Sequence, residues 1–569
     1  VAHLEAQGVP ADPEGVAALV DRVDGIAALV HASEELAHVH GVAGVAALPM
    51  AALGAPWQAI VARLDKLIDD DLALLSSLAV LPHFPLERDV RDLLGDDALR
   101  LQGLVDRGVL VRRWDRLGVP RVVVAWLTGV LGEGALDAPM RAWLDWLLRR
   151  AEEVGDDWIH CRVGMERRLD DIAPHVEAAL PHLSPAELHR VAAELSDGLI
   201  LVGHRALRAS IDEAVLRVTP DPHVSRDASL AWVHAIMRKH RRGDMTIVPV
   251  LRRIRLEADD ADGNLLSQVA HVEASRYAAG NQEPVVAIMR ETWERLVRGQ
   301  QEAWGAWMVG AQAPISLGNG LRGTELLELA EAASASVRRE APDLARYFGQ
   351  QALSFAWIDF GHVEAGARLG SRAANELAAR GLVRLAASFS TYIGKAWYQL
   401  ERYDDAEEAF RRAADHGAHF HPSHALQWLS LMATEQGDTD SAREHLAAAE
   451  AAMPNMEHAL LHHHRMCQAL RAHADRELVE ARHLYRSLID GTMNVSPVRR
   501  SLALAALILL SDDEDERAEH ARALRREAEA DPVAWSSVAL ALGDEAVPAG
   551  QETRVTPMIR ILRKLVQSR

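Results

Sequence analysis

Nine turn signals punctuate this 569-residue chain at intervals of 36 to 41 residues: Gly203, Gly243, Gly280, Gly320, Gly361, Glu401, Gly437, Asp475 and Ser511. Apolar residues at helical spacing flank each of them. This period constrains the fold more than any other feature, because a single helical hairpin cannot bury its apolar face and must stack on neighbours. The expectation is an all-α protein with one small β-wing, in which residues 190–545 form a curved array of helical hairpins. Such an array suits binding rather than catalysis. Composition agrees: Ala, Leu, Arg and Glu dominate, and aromatic residues are only 5% of the chain.

The repeat is clearest where residue types agree as well as spacing. One unit reads Gly394, Trp397, Tyr403, Ala406, Phe410 and Ala413; the next reads Gly437, Ala442, Leu446, Ala449 and Pro454; a third reads Ala481, Tyr485 and Leu488. The small residue between paired helices thus steps from 406 by 36 and then by 39. This pattern resembles the tetratricopeptide repeat, with longer helices or loops. Trp357, Gly361, Gly366, Gly370 and Ala373 fit the same frame upstream, and Leu326, Ala330 and Ala333 fit one unit earlier. Trp397, Tyr403 and Trp428 are the candidate partner-binding aromatics.

The front of the chain has another plan. Leu72, Leu75 and Leu78 share one helical face, Pro82-His83-Phe84-Pro85 makes a turn, and Leu86, Val90 and Leu93 share a second face. A third helix carries Leu99, Leu101, Leu104 and Val105 up to Gly108. Val109-Leu110-Val111, a turn at Asp115 to Pro120, and Val122-Val123-Val124 then read as a two-stranded hairpin. Three helices followed by a hairpin make a winged helix. The expected division is a helical segment at 1–53, the winged helix at 54–135, connecting helices at 136–189, the array at 190–545, and a linker with a C-terminal helix at 546–569. That last helix, with Ile559, Ile561, Leu562 and Leu565 among Arg560, Arg563 and Lys564, is expected to cap the open end of the array.

The residues carry a family resemblance. Leu74 to Leu81, the turn Phe84-Pro85-Leu86-Glu87, and Leu104 to Leu110 resemble the winged-helix module of STAND proteins, the signal-transduction ATPases with numerous domains. Ala18 to Leu29 is similar to the helical segment that precedes that module, and Trp126 to Ala151 with Leu169 to Leu180 resemble the helices leading into repeats in bacterial regulators of this class. The resemblance implies the sensing arm of a switch: repeats bind a protein, peptide or small effector, and the winged helix relays the event to an upstream nucleotide-binding and effector module in transcription control or defence signalling. Oligomerisation on activation is compatible with it. Gly25 is followed by Ile26-Ala27 instead of Leu-Pro, and Val124 to Thr128 lacks the phosphate-contacting histidine, so neither nucleotide contact of the family carries over. A non-enzymatic scaffold and a DNA-binding regulator are the alternatives.

No catalytic or cofactor motif stands out. None of the four lysines, Lys66, Lys239, Lys395 and Lys564, follows a glycine-rich phosphate loop, so ATP or ADP would enter only through an upstream domain. The chain opens at Val1, which suggests the distal part of a longer polypeptide. A formal charge of −20 weighs against nucleic acid, although Arg107, Arg112, Arg113, Arg116 and Arg121 gather around the wing, where a hinge contact or DNA phosphates could use them. His421, His424, His458 and His462 could in principle assemble a divalent-ion site across two repeats; solvent-facing or groove-lining side chains are the plainer reading. Two cysteines, Cys161 and Cys467, give no disulfide framework and suggest a cytoplasmic setting. No apolar run is long enough to span a bilayer.

Overall fold

The computed structural model describes residue 37 and, with short interruptions, residues 58–309, 328–335, 343–530 and 556–567. The segment expected at 1–53 apart from Ala37, the signals Gly243, Gly280, Gly320 and Gly361, the positions Leu326, Ala330 and Ala333, and the linker 546–555 lie outside the described residues. Among the described residues the chain is mostly helical, its helices pack as consecutive pairs, and there is one small β-hairpin. It divides into two compact units, residues 1–152 with 171–184, and residues 153–170 with 185–569.

The first unit is the winged helix. Helices α1 (Asp69–Ala79), α2 (Glu87–Leu94) and α3 (Leu101–Asp106) bury Leu75, Val90, Leu101 and Leu104 around one core. Strands β1 (Val111–Arg113) and β2 (Arg116–Gly118) pair antiparallel, with Arg113 opposite Arg116. The hairpin is tighter than the sequence suggested, with Trp114 at φ 59° in its two-residue turn. Val122 to Val124 are not the second strand; they open helix α4 (Arg121–Leu131) behind Pro120. Proline ends the ladder, and Val123 and Leu127 are both buried while Ala125 between them is exposed, the spacing of a helix face; a strand's alternation would put all three on one side. Leu99 also departs from expectation. It lies in a 3-10 turn over Gly95–Arg100 that rotates it off the buried face, and it is 83% exposed.

Helices α5 (Asp137–Ile159) and α6 (Met165–Ala179) pass through the boundary between the units. Within the first unit, buried Trp143 donates to His175 Nδ1 at 3.4 Å and Trp146 donates to Asp92 Oδ2 at 2.8 Å.

The second unit contains the hairpins: α7 (Pro185–Leu201) with α8 (Arg205–Val218), α9 (Arg226–Lys239) with α10 (Val248–Glu257), and α11 (Gly263–Tyr277) with α12 (Glu283–Arg298). Further along come α13 (Asp343–Asp359) with α14 (Val363–Ala379), α15 (Val383–Gln399) with α16 (Tyr403–His416), and α17 (His421–Gln436) with α18 (Thr439–Ala452). The last pairs are α19 (His458–Ala474) with α20 (Leu478–Ser487) and α21 (Pro497–Leu510) with α22 (Glu514–Ala530). Gly203, Glu401, Gly437, Asp475 and Ser511 each fall between the two helices of a pair, as the period requires.

Four of these five turns share a backbone device. The amide five residues past a carbonyl closes the first helix: His204 on Leu199, Arg402 on Trp397, Asp438 on Ala433 and Glu477 on Ala472, at 2.8–3.0 Å. The residue before each amide is left-handed: Gly203 at φ 101°, Glu401 at 59°, Gly437 at 81° and Arg476 at 61°. This is the Schellman closure, which satisfies carbonyls a helix end would otherwise orphan. Between the helices, Ala406, Ala442 and Ala481 are wholly buried at one register, and Phe410, Leu446 and Tyr485 fill the next. A Cβ on Gly394 would meet the Phe410 ring at 2.7 Å, so the ring packs flat on bare backbone.

The array also touches itself over long sequence distances. Arg384, at the start of α15, donates to Asp170 and to the Val202 carbonyl at 2.8–2.9 Å, and Glu166 accepts from the Leu385 amide at 2.9 Å.

Helix α23 (Thr556–Gln567) is not an end cap. It packs along α15, α17, α19 and α21, the first helices of four successive pairs. Met558, Ile559, Ile561 and Leu562 are buried there, so the row of first helices takes up the helix's apolar face.

Candidate functional site

The row of first helices holds α23 through a cluster of charge at helix ends. Tyr398 and Glu435 occupy the last turns of α15 and α17, where backbone carbonyls lack partners within the helix. Arg560 lies against both. Its Nε donates to Glu435 Oε1 at 2.8 Å and its Nη2 to Oε2 at 3.2 Å, while Nη2 and Nη1 reach the carbonyls of Tyr398 and Gln399 at 3.0 and 3.3 Å. One turn on, Lys564 Nζ donates to the Glu435 carbonyl at 3.3 Å. Two cations from one helix thus complement the negative ends of two others. Burial works to raise the Glu435 carboxyl, but Arg560, Tyr398 and Lys564 hold it below its usual range. Burial, and then the Glu435 charge, push the Tyr398 hydroxyl well up. The Arg560 guanidinium also sits 5.2 Å over the Tyr398 ring. Glu435 was missed by the sequence reading because a lone glutamate in a helix carries no signal; Arg560 was legible only as part of an amphipathic helix.

The three candidate aromatics separate. Trp397 borders a groove of ≈ 650 Å³ with Arg368, Arg372, Asn375 and Arg402. Its Nε1 donates to Ser371 Oγ at 3.4 Å, and the Arg402 guanidinium covers its ring at 4.6 Å. Tyr403 is half-buried at the start of α16, 6.0 Å from the Tyr398 ring. Trp428 is a core residue, stacked on Phe410 at 6.2 Å and donating to His424 Nε2 at 3.0 Å.

The histidines are interior groups. His421, His462, His463 and His464 are buried, because α17 and α19 are enclosed on nearly every side. This corrects the solvent-facing reading. His463, not His462, faces His424, with ring centroids 5.3 Å apart, and it lies 4.8 Å from Trp428. Burial, and then Arg205, bring the His421 imidazole down to about 4. Burial first, with Lys395 beside His424 and Arg499 beside His463, holds both of those well below the usual range. His458 lies in α19, but its side chain is outside the description. Among the described residues no group of three His, Cys, Asp or Glu side chains is arranged to hold a metal. Burial pushes the Cys161 thiol up to about 12 and raises the Cys467 thiol further, so neither is an activated nucleophile.

Around the wing, Arg107 pairs with buried Asp71 at 2.8 Å, and Arg112 pairs with Glu87 at 2.9 Å and with Gln102 at 2.7 Å. Arg113 and Arg116 face one another across the hairpin, and Arg121 opens α4. The basic cluster is therefore neutralised in part by the module's own acids. Trp114, 97% exposed at the tip, is the one large apolar side chain there that the sequence reading passed over.

No family model matches the sequence, and no curated protein matches it. Among solved structures the chain is similar to the crystal structure of a signal transduction ATPase with numerous domains that has a tetratricopeptide repeat sensor, from Pyrococcus horikoshii. The likeness covers 88% of this chain and 72% of that one at 13% identity, with a TM-score of 0.46. Among the described residues no helix is long and apolar enough to cross a membrane.

Proposed function

We propose that this chain is the sensing arm of a STAND-type switch, and that its effector is a polypeptide bearing a short basic amphipathic helix. The observation that supports this is the seat of α23. The row of first helices carries an acidic, aromatic and carbonyl-rich surface, and the chain's own C-terminal helix occupies it with an arginine, a lysine and four buried apolar side chains. The surface is therefore matched to a helix of that chemistry. The chain's own copy acts as a resident competitor, and an incoming helix that binds better shifts the equilibrium toward the displaced state. The winged helix relays that change to an upstream nucleotide-binding module, as the sequence resemblance implies.

A labelled peptide spanning residues 556–569, offered in trans to the full chain, tests the reading. The intact chain takes it up weakly, since its own helix competes. The variant Arg560→Ala, in which loss of the buried pair costs about 3 kcal/mol, releases the resident helix and binds the peptide. Adding Glu435→Gln to that variant weakens peptide binding at least about tenfold. Equal uptake with and without Glu435→Gln, or no uptake by the Arg560→Ala chain, would end this reading.

A further inference from the structure

The front hairpins converge on a second cavity, remote in sequence from Glu435 and Arg560. It encloses ≈ 210 Å³ between the end of α5, helices α7, α9 and α11, the helical stretch 304–309, and the start of α13. Trp158, Trp304, Trp307 and Phe348 supply its aromatic walls, and Glu194, Asp197, His234 and Asn264 supply its polar groups. None of these lining residues is a lysine or arginine.

Two glycines shape it. A Cβ on Gly155 would stand 3.2 Å from both the Cβ and the carbonyl oxygen of Glu194, so the glutamate can lie across bare backbone only there. A Cβ on Gly263 would meet Trp304 Cδ1 at 2.5 Å. Trp304 and Trp307 meet edge to face, with centroids 6.5 Å apart, and His271 braces Trp307 from behind at 5.7 Å.

The polar groups are only partly satisfied within the protein. Asp197 accepts from Gln268 Nε2 at 2.9 Å. His234 is 2% exposed, its Nε2 stands 3.5 Å from Asp197 Oδ2 without the alignment of a full hydrogen bond, and its ring also lies beside the Ala192 carbonyl. The buried Asn264 Oδ1 likewise has no donor. Burial, with help from Arg208, lowers the His234 imidazole despite the pull of Asp197, so it is neutral at physiological pH, and the Arg208 charge is itself paired with Asp212 at 2.7 Å. A buried polar group without a partner is costly, and such groups in one cavity point to a ligand that completes them. The groups here are mainly acceptors and carboxylates, framed by ring faces whose quadrupoles attract positive charge.

We propose that this cavity binds a small organic cation: a primary ammonium on a compact apolar body. The ammonium donates to Asp197, to Asn264 Oδ1 and to the unprotonated ring nitrogen of His234, while the apolar body lies among Trp158, Trp304, Trp307 and Phe348. A neutral ligand of the same shape fills the walls but brings no charge to the Asp197 carboxylate, whose hydrogen bond from Gln268 is neutral. The site goes beyond the peptide seat proposed above, giving the array a second, small-molecule input on its front hairpins.

Calorimetric titration of the full chain with phenethylammonium, and with 2-phenylethanol as its neutral counterpart, tests this. The amine binds at least about tenfold more tightly than the alcohol, the margin expected for a desolvated cation against rings and a carboxylate. Asp197→Asn keeps the acceptor for Gln268 and removes the charge; it erases most of that preference. Trp304→Ala weakens amine and alcohol together. Melting curves by circular dichroism establish that each variant is folded, and Glu194→Gln gives a second charge-removing variant should Asp197→Asn unfold. Equal binding of amine and alcohol, an amine affinity unchanged in both charge-removing variants, tighter binding of glucose than of the amine, or no heat from the amine up to millimolar concentration would each overturn the assignment. None of these readouts touches α23, so the peptide seat and the cation pocket fail separately.

Discussion

The front hairpins, α7 to α12, and the later ones, α13 to α22, solve one packing problem with different chemistry. In the later pairs the helices approach over bare or nearly bare backbone: Phe410 lies on Gly394, Ile358 and the Ser354 carbonyl crowd Gly366, and Ala406, Ala442 and Ala481 are wholly buried. Buried serines then bond across the pair, Ser354 to the Gly366 carbonyl at 2.7 Å and Ser430 to the Ala442 carbonyl at 2.9 Å. The front pairs are clamped by buried arginines. Arg255 meets Glu273 at 2.7 Å and Glu291 at 2.9 Å, and Arg295 donates to the Arg255 and Ala258 carbonyls at 2.5 Å. Close backbone contact leaves no room for ligand within a pair. The front half, with its ion clamps and large rings, is where the tryptophan-lined cavity lies.

The largest effects should follow that division. Phe410→Ala removes a ring that fills its site completely and leaves a cavity over Gly394, costing about 3–5 kcal/mol. Replacing Arg255 and Glu273 together by Met and Leu exchanges a buried pair for apolar packing and should cost under about 1 kcal/mol, because the lost attraction is offset by the desolvation no longer incurred. Urea unfolding of both variants measures this directly. A Phe410→Ala loss no larger than that of the double variant would show that the two halves are held alike.

Acid sharpens the same contrast. His421, His424 and His463 are neutral in the folded protein and have pKa values below the unfolded value of 6.5, with His421 at about 4. Below pH 6.5 the unfolded chain takes up protons first. The stability these residues give is therefore complete above that pH and drains away as pH falls toward about 4. His421 alone contributes on the order of 3 kcal/mol over this window. Helices α10 and α12 contain no histidine, and Arg253 holds the Glu257 carboxyl of α10 below its usual range. Hydrogen exchange at pH 7 and pH 5 should show amide protection lost across 421–474 and retained across 248–257 and 283–298; uniform loss would dismiss the histidines as its source.

This contrast also explains what could be read from the sequence. A glycine or alanine forced by close approach must recur at a fixed register, so 406, 442 and 481 announced the later hairpins. A clamp such as Arg255 with Glu273 can be built from many residue pairs at many offsets, so the front hairpins betrayed only their period. The winged helix was legible from its core pattern, but Val122 to Val124 misled because β-branched propensity yields to the burial of Val123 with Leu127. The α23 seat and the cation pocket were hidden for another reason. Their residues come from helices far apart in the chain, Tyr398 and Arg560 by 162 positions and Trp158 and Phe348 by 190, and no local pattern records such a meeting.

The smallest predicted effect concerns the turns. Schellman closures need a left-handed residue, and in two hairpins that residue is Glu401 or Arg476 instead of glycine, at φ 59° and 61°. A side chain in that region costs about 1–2 kcal/mol, which glycine avoids at the expense of a looser unfolded chain. Arg476→Gly should therefore stabilise the protein by roughly 0.5 kcal/mol, and Gly437→Ala should destabilise it by about 1 kcal/mol. Arg476 is the cleaner probe, because Glu401 also lies 3.8 Å from Arg560 and changing it would disturb the seat of α23. Paired thermal melts read the sign. If Arg476→Gly lowers stability, the arginine side chain must contribute more than its strained backbone takes away, and the turns of the array would not be interchangeable after all.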